Sequence, residues 1–222
     1  MKLLKYDLEK FNFPALIASF LNVESLADMK AEKNEAIKNE NSLYKNMEQS
    51  KWYKLLYSKL NSGEGEAFYE MYEKFIQEVI RPQYPEAIFY QARPTHRIHF
   101  SNGSGISRFH RDSDYGHNLA EVNYSVPQTP AFDTNAIWIE SEEGKADFQP
   151  MNMQPGQYAE FKGCSLMHGA RKNETGATRV SFDFRVMPVS AAPDVYTDQS
   201  KWSEQDKQNP LFLNAHQFVI CN

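Results

Sequence analysis

Cysteine is scarce in this chain: 222 residues hold two, Cys164 and Cys221. Two thiols cannot build a disulfide framework, and no Cys pair has zinc spacing. Long apolar runs are missing too. No stretch approaches the roughly 18 apolar residues of a membrane span, so no membrane partner is expected. The opening MKLLKYDLEKFNF carries Lys5, Asp7, Glu9 and Lys10 where a signal peptide would have its apolar centre. Positive charge is in deficit: Lys+Arg 24 against Asp+Glu 29 leaves −5, which gives a nucleic-acid partner no electrostatic support. There is no internal repeat and no low-complexity segment. Gly103–Ser104–Gly105 lacks the following Lys-Ser/Thr of a phosphate loop. What is present, 41% hydrophobic and 14% aromatic residues, excludes a disordered polymer and suits one cytoplasmic globular domain. Its oligomeric state stays open.

The first ninety residues carry helical patterning. Pro14 starts a run extending to Lys38, with Leu16, Ile17, Phe20 and Leu21 apolar. Leu43 to Leu60 places Trp52, Leu55, Leu56 and Leu60 at helical spacing and stops at Asn61–Ser62–Gly63. Glu66 to Ile80 sets Phe68, Met71, Tyr72, Phe75, Ile76 and Val79 on one face, a stripe suited to packing on a sheet. From Ala87 the pattern becomes short strands between turns: Ala87–Ala92, Thr95–Phe100, Ser107–Asp112, Ala120–Val126, Asn135–Glu140, Gln157–Lys162, Ser165–His168 and Thr178–Met187. Asn102–Gly103–Ser104–Gly105, Glu143–Gly144 and Pro155–Gly156 read as turns, and Glu140 to Glu143 as a solvated acidic loop. Eight strands in about a hundred residues point to a two-sheet jelly roll. The expected layout is a helical support region (1–86), a β core (87–190) and a tail (191–222) whose Leu211–Leu213 and Phe218–Ile220 could dock on the body.

Three of these strands have one wholly polar face. Arg179, Ser181, Asp183 and Arg185 alternate with Val180, Phe182, Phe184 and Val186. Glu121, Asn123 and Ser125 alternate with Val122, Tyr124 and Val126, and Thr95, Arg97 and His99 with His96, Ile98 and Phe100. Successive strand residues point to opposite faces, so the apolar faces suit the helices. The polar ones either meet bulk water or line a cavity for a small anionic or hydroxyl-rich ligand.

The sharpest local signal is Phe109–His110–Arg111–Asp112. Residues two apart on a strand point the same way, so His110 and Asp112 can converge on one metal. His168 in Cys164–Ser–Leu–Met–His168–Gly169 and Arg179–Val180–Ser181 follow downstream. This order resembles the Fe(II)/2-oxoglutarate-dependent oxygenases over about Arg97 to Met187. His168–Gly169, Asn173, Thr175 and Arg179 resemble the phytanoyl-CoA hydroxylase branch. Asn123, Asn135 and Trp138–Ile–Glu140 resemble small hydroxylases of antibiotic biosynthesis. The resemblance implies a double-stranded β-helix (a jelly roll, cupin-like) of mainly β or α+β class, with N-terminal helices on one sheet. It implies iron held by His110, Asp112 and His168, with 2-oxoglutarate and O2 as cosubstrates. Arg179 would grip the distal carboxylate of 2-oxoglutarate, helped by the Ser181 hydroxyl. Asn123, Arg97, His99 and Trp138 become further candidate contacts, and Arg185 an alternative anchor. Halogenating relatives replace the carboxylate ligand with a small residue, so Asp112 favours hydroxylation, desaturation or ring closure. Ala170 departs from the phytanoyl-like pattern, which often has a hydroxyl residue there.

The expected activity is hydroxylation of a small polar metabolite, such as an amino acid, a sugar or an aminoglycoside-like compound, with release of succinate and CO2. Two other classes stay open: a cupin-like metalloenzyme without 2-oxoglutarate, and a non-catalytic metal- or sugar-binding module. Asp114 and His117 crowd the motif as alternative ligands. His96 and His216 read as packing or surface histidines, Trp52 and Trp202 as core or wall aromatics, and Cys164 lacks a base to make it a nucleophile.

Overall fold

The computed structural model describes residues 1–31, 50–101, 108–192 and 218–222. Helices and antiparallel strands are mixed, with the helices concentrated before residue 84. Helix α1 (Phe13–Leu21) is capped by Asn12, whose side chain accepts the Ala15 N–H, and has Pro14 in its first turn. It ends well before Lys38, because Asn22 turns left-handed (φ 53°) and its N–H closes onto the carbonyls of Ala18 and Ser19. Helix α2 (Lys51–Leu60) begins at a Ser50 cap, and the expected stretch 43–49 lies outside the described residues. Helix α3 (Glu66–Phe75) continues through a π-type turn, Ile76–Ile80. Gly65 between α2 and α3 is obligatory, since a Cβ there would stand 2.2 Å from the Leu60 carbonyl oxygen.

Ten strands follow the chain as β1 (Lys2–Lys5), β2 (Ile88–Gln91), β3 (Thr95–His99), β4 (Val122–Pro127), β5 (Ile137–Ile139), β6 (Gln149–Pro150), β7 (Gln157–Phe161), β8 (His168–Ala170), β9 (Arg179–Pro188) and β10 (Phe218–Cys221). The larger sheet runs β1-β7-β4-β9-β2-β10, with β3 also on β9, and the smaller runs β6-β5-β8. Every pairing is antiparallel. Strands β1 and β6 were not anticipated: Lys2–Lys5 has only one half-buried residue, and β6 is a two-residue ladder. The Phe218–Ile220 segment does dock, as a strand on β2, while Leu211–Leu213, His216, Trp202 and the Asn102–Gly105 turn lie outside the described residues.

Two strand expectations need correction. Ser107–Asp112 is not a strand among the described residues. His110 makes a single bridge to His168, and Asp112–Tyr115 is a 3-10 turn. The Ser165–His168 segment begins as a turn on the Lys162 carbonyl, and its strand is shifted to His168–Ala170. Glu140 is also not solvated. It is 2% exposed because its carboxylate accepts the N–H groups of Met167 and Ala146.

One face of the larger sheet carries the helices. Phe182 meets Phe13 and Phe68 at ring-centroid distances of 4.9 and 5.6 Å, and Phe184 meets Tyr72 at 5.4 Å, all edge-on. The opposite face carries Ala159 and Phe161, which join Ile139, Met151 and Met153 of the smaller-sheet region in a second apolar cluster. The polar residues of β3, β4 and β9 therefore lie between the sheets. No described helix is long and apolar enough to cross a membrane.

His96 faces the helices, 1% exposed, and both ring nitrogens lack a hydrogen-bond partner. Burial lowers its pKa from 6.5 to about 3, so the folded state holds it neutral while the unfolded chain protonates. Stability from this group is thus complete above pH 6.5 and falls as pH drops toward 3. A His96→Leu protein should lose about 2 kcal/mol less than wild type between pH 7 and 5. Urea unfolding at the two pH values measures this, and an unchanged pH slope would contradict it.

Candidate metal centre

The site begins with a backbone bridge. His110 and His168 exchange N–H···O bonds of 2.9 Å in both directions, which sets them side by side with ring centroids 4.7 Å apart. Arg111 stays extended, and the Asp112 N–H binds the Gly163 carbonyl at 2.9 Å. The carboxylate thus returns to the side of the His110 ring although no regular strand continues there. His110 Nε2 lies 3.4 Å and His168 Nε2 3.6 Å from Asp112 Oδ1. One ligand atom from each residue falls within 4.8 Å of the others, the only such His/Cys/Asp/Glu group found among the described residues. Donors at right angles on a metal with bonds of about 2.1 Å would stand roughly 3.0 Å apart, close to the 3.4 and 3.6 Å that separate Oδ1 from the two nitrogens.

The imidazoles are oriented by their other nitrogens. His110 Nδ1 sits 2.6 Å from the Arg108 carbonyl and His168 Nδ1 2.9 Å from that of Leu166. A carbonyl only accepts, so each Nδ1 carries the proton and each Nε2 presents its lone pair. Asp112 is 3% exposed. Burial would raise its pKa, but His110, Arg185, His168 and Asn123 outweigh that and hold it well below the usual carboxylate range. For His110, burial is outweighed by Asp112 and the Arg108 carbonyl, and its pKa rises; for His168, burial prevails and its pKa falls. The donor set of two neutral nitrogens and one carboxylate oxygen fits a divalent first-row metal such as Fe(II).

The remaining candidates spread along the interior face. Asn123 donates to Asp112 Oδ2 at 2.6 Å and accepts the Gly163 N–H. Gly163 is needed because a Cβ there would meet the Asn123 carboxamide at 2.7 Å. Arg185 contacts Asp112 Oδ2 through Nη2 (3.0 Å) and Nε (3.2 Å). Arg97 pairs with Asp183 at 3.0 and 3.3 Å, both side chains about one-fifth exposed. Arg179 stands at the other end of β9 from Arg185, 3% exposed, with Nε on the Asn135 carbonyl at 2.6 Å and Nη1 on Ser181 Oγ at 2.5 Å. Burial lowers its pKa to about 10, and among the described residues no carboxylate lies within ion-pair distance of it. His99 is opposite Arg179 in the β3–β9 ladder, with Nδ1 3.4 Å from the same Asn135 carbonyl and Nε2 unpartnered. Burial, then Arg179, lowers the His99 pKa to about 3, so it is neutral.

Trp138 is not brought to this face. It pairs with Gly169 in register, whereas Ile139 pairs with His168, so strand alternation turns it away from the cluster. Its indole N–H binds the Asp133 carbonyl, and the Arg171 guanidinium lies 3.5 Å over its ring. Asp114 and His117 are also engaged elsewhere, Asp114 accepting the Arg111 N–H and His117 Nδ1 on Glu121 at 3.0 Å. The partnership of Glu121 with Arg185 had no sequence signal, because it joins a loop to a strand far along the chain. Asn135 was legible only as part of a resemblance, not as the support of Arg179.

No family model matches the sequence. A curated relative, the streptomycin biosynthesis protein StrG of Streptomyces griseus, is 39% identical over 106 residues, 48% of this chain and 50% of that protein. The chain thus matches about half the length of that relative. Among solved structures, the nickel complex of the non-heme monooxygenase ThoJ overlaps 86% of this chain and 75% of its own, at 13% identity and TM-score 0.48. CytC3 with Fe(II) and alpha-ketoglutarate overlaps 85% and 72%, at 14% identity and TM-score 0.46. AviO1 from Streptomyces viridochromogenes Tue57 overlaps 84% and 86%, at 14% identity and TM-score 0.41. These are partial overlaps of chain path at low identity.

Because the His110 pKa is raised from 6.5, protons compete with a metal at its Nε2 into the neutral range. Zn(II) or Co(II) binding should release a proton, and affinity should fall as pH drops below neutrality. Calorimetric titration in buffers of different ionisation enthalpy checks both. His110→Ala and Asp112→Ala should each abolish tight binding, and pH-independent affinity between roughly pH 6 and 8 would contradict the assignment.

Proposed function

We propose that this chain is an Fe(II)- and 2-oxoglutarate-dependent oxygenase of double-stranded β-helix architecture that hydroxylates a small polar metabolite. The observation that carries the proposal is a pairing on one interior face. A two-nitrogen, one-oxygen donor set shares that face with Arg179, a buried guanidinium with no carboxylate partner among the described residues. A buried unpaired charge is costly, and an anionic ligand relieves that cost. Two buried, unbridged cysteines suit a reducing, cytoplasmic setting.

His110 Nε2, His168 Nε2 and Asp112 Oδ1 would hold the iron on one side, leaving its other positions for cosubstrates. When bound, iron with 2-oxoglutarate and O2 supplies oxidation of a C–H bond, one oxygen atom going to the substrate and one to succinate, with loss of CO2. The chain's own part is orientation. Arg179 offers a planar two-point grip to the distal carboxylate of 2-oxoglutarate. Ser181 Oγ accepts from Arg179 and keeps its own proton to donate. The Asn135 carbonyl fixes the guanidinium before any ligand arrives, and neutral His99 adds no competing charge. Arg97 and Asp183 set a cation beside an anion on the same face, which suits a substrate bearing amino and hydroxyl groups. The relative named for streptomycin biosynthesis supports that substrate class.

The test is anaerobic addition of Fe(II) and then 2-oxoglutarate to the purified protein. A weak visible charge-transfer band is expected, followed by succinate formation when O2 is admitted. A folded, iron-loaded protein showing neither would overturn the proposal in favour of a metalloenzyme or binding module that does not use 2-oxoglutarate. Arg179→Ala should weaken 2-oxoglutarate binding by about 2–4 kcal/mol without removing iron. Unchanged affinity would displace Arg179 as the anchor.

A further inference from the structure

Asp112 offers two oxygens, and the protein treats them differently. Oδ1 faces both histidine Nε2 atoms, at 3.4 and 3.6 Å. Oδ2 accepts three donors: Asn123 Nδ2 at 2.6 Å, Arg185 Nη2 at 3.0 Å and Arg185 Nε at 3.2 Å. A guanidinium meeting a free carboxylate commonly straddles it, one N–H to each oxygen. Here both donors crowd onto one oxygen. Glu121 contacts the same guanidinium: its Oε2 lies 3.5 Å from Arg185 Nε, the atom that also donates to Oδ2. Glu121 is itself 1% exposed and fixed at both oxygens, Oε2 by His117 Nδ1 at 3.0 Å and Oε1 by the Asn118 N–H at 3.2 Å.

We infer that Arg185 and Glu121 are paired positioning residues that make Asp112 a one-oxygen ligand and bind the 112–121 loop to the metal centre. The inference rests on the metal-site reading of the preceding section. Arg185 saturates Oδ2, so Oδ1 alone is left for the metal and the carboxylate cannot close on it with both oxygens. Glu121 keeps Arg185 from reaching Oδ1, where it would compete with the metal. The pair also joins the two ends of one loop, Asp112 and Glu121, through a single side chain of β9. That loop carries Tyr115, 69% exposed with its ring edge-on to His110 at 5.2 Å, and Leu119, 70% exposed. Coordination at Asp112 is thereby mechanically linked to the Tyr115 ring beside His110.

The test uses Co(II), whose visible d–d absorption reports coordination number and geometry independently of turnover. Arg185→Lys keeps the charge and removes the two-donor grip. Its Co(II) affinity should fall about tenfold, with a changed band position and intensity. Glu121→Gln should shift the spectrum in the same sense with a smaller loss, about threefold to tenfold. Hydrogen exchange across residues 113–120 should slow on Co(II) binding in wild type and less so in either variant. Near-UV circular dichroism of the metal-free proteins checks folding, and if Arg185→Lys does not fold, Glu121→Gln decides. Folded variants with wild-type Co(II) spectra and affinities would overturn the inference while leaving the metal site standing. A wild-type protein that takes up no Co(II) would remove both.

Discussion

Alternation along β9 is the constraint from which the rest of the structure follows. Residues at odd and even positions of a strand cannot share a face. One row, Val180, Phe182, Phe184 and Val186, is 0–1% exposed and packs in the helix-side core. The other row, Arg179, Ser181, Asp183 and Arg185, is thereby driven into the space between the sheets. Its neighbours in register are of the same kind: Arg97 opposite Ser181, His99 opposite Arg179, and Asn123 opposite Arg185. The sheet thus buries an aromatic layer on one side and a charged layer on the other.

A charged interior is tolerated only where each charge is compensated. Arg185 is held by Asp112 and Glu121, and Arg97 by Asp183. Arg179 has a carbonyl and a hydroxyl but no anion among the described residues. The asymmetry separates two arginines that look equivalent in sequence. One supports the Asp112 carboxylate of the candidate metal site, and the other is left without an anion of its own. It also explains why a net charge of −5 said nothing about an anionic small molecule, since the relevant cations are turned inward.

Much of this was legible beforehand. The aromatic stripe of α3, the alternation of β9 and the polar faces of β3 and β4 are local patterns, set by the helical and strand periods. His110 and Asp112 converge as their spacing predicts, although an extended dipeptide and a bridge to His168, not a regular strand, achieve it. Trp138 shows where local reading stops: a one-residue change of register relative to His168 decides whether its ring faces the His110–Asp112–His168 cluster or Arg171. The helix at Pro14 stops at Leu21, short of what its pattern suggests, because Asn22, ordinary in a helical pattern, turns its backbone left-handed.

By itself the sequence determined the periodic features: which residues are apolar, which faces are polar, and where nitrogen and oxygen ligands recur. Those depend on neighbours a few positions away. Only the tertiary structure decided how the charges are shared. The contacts of Asp112 with Arg185 span 73 positions, and that of Arg179 with the Asn135 carbonyl spans 44. Such partners are chosen by sheet register and by the cost of leaving a buried charge unmatched. Neither quantity exists until the strands are side by side.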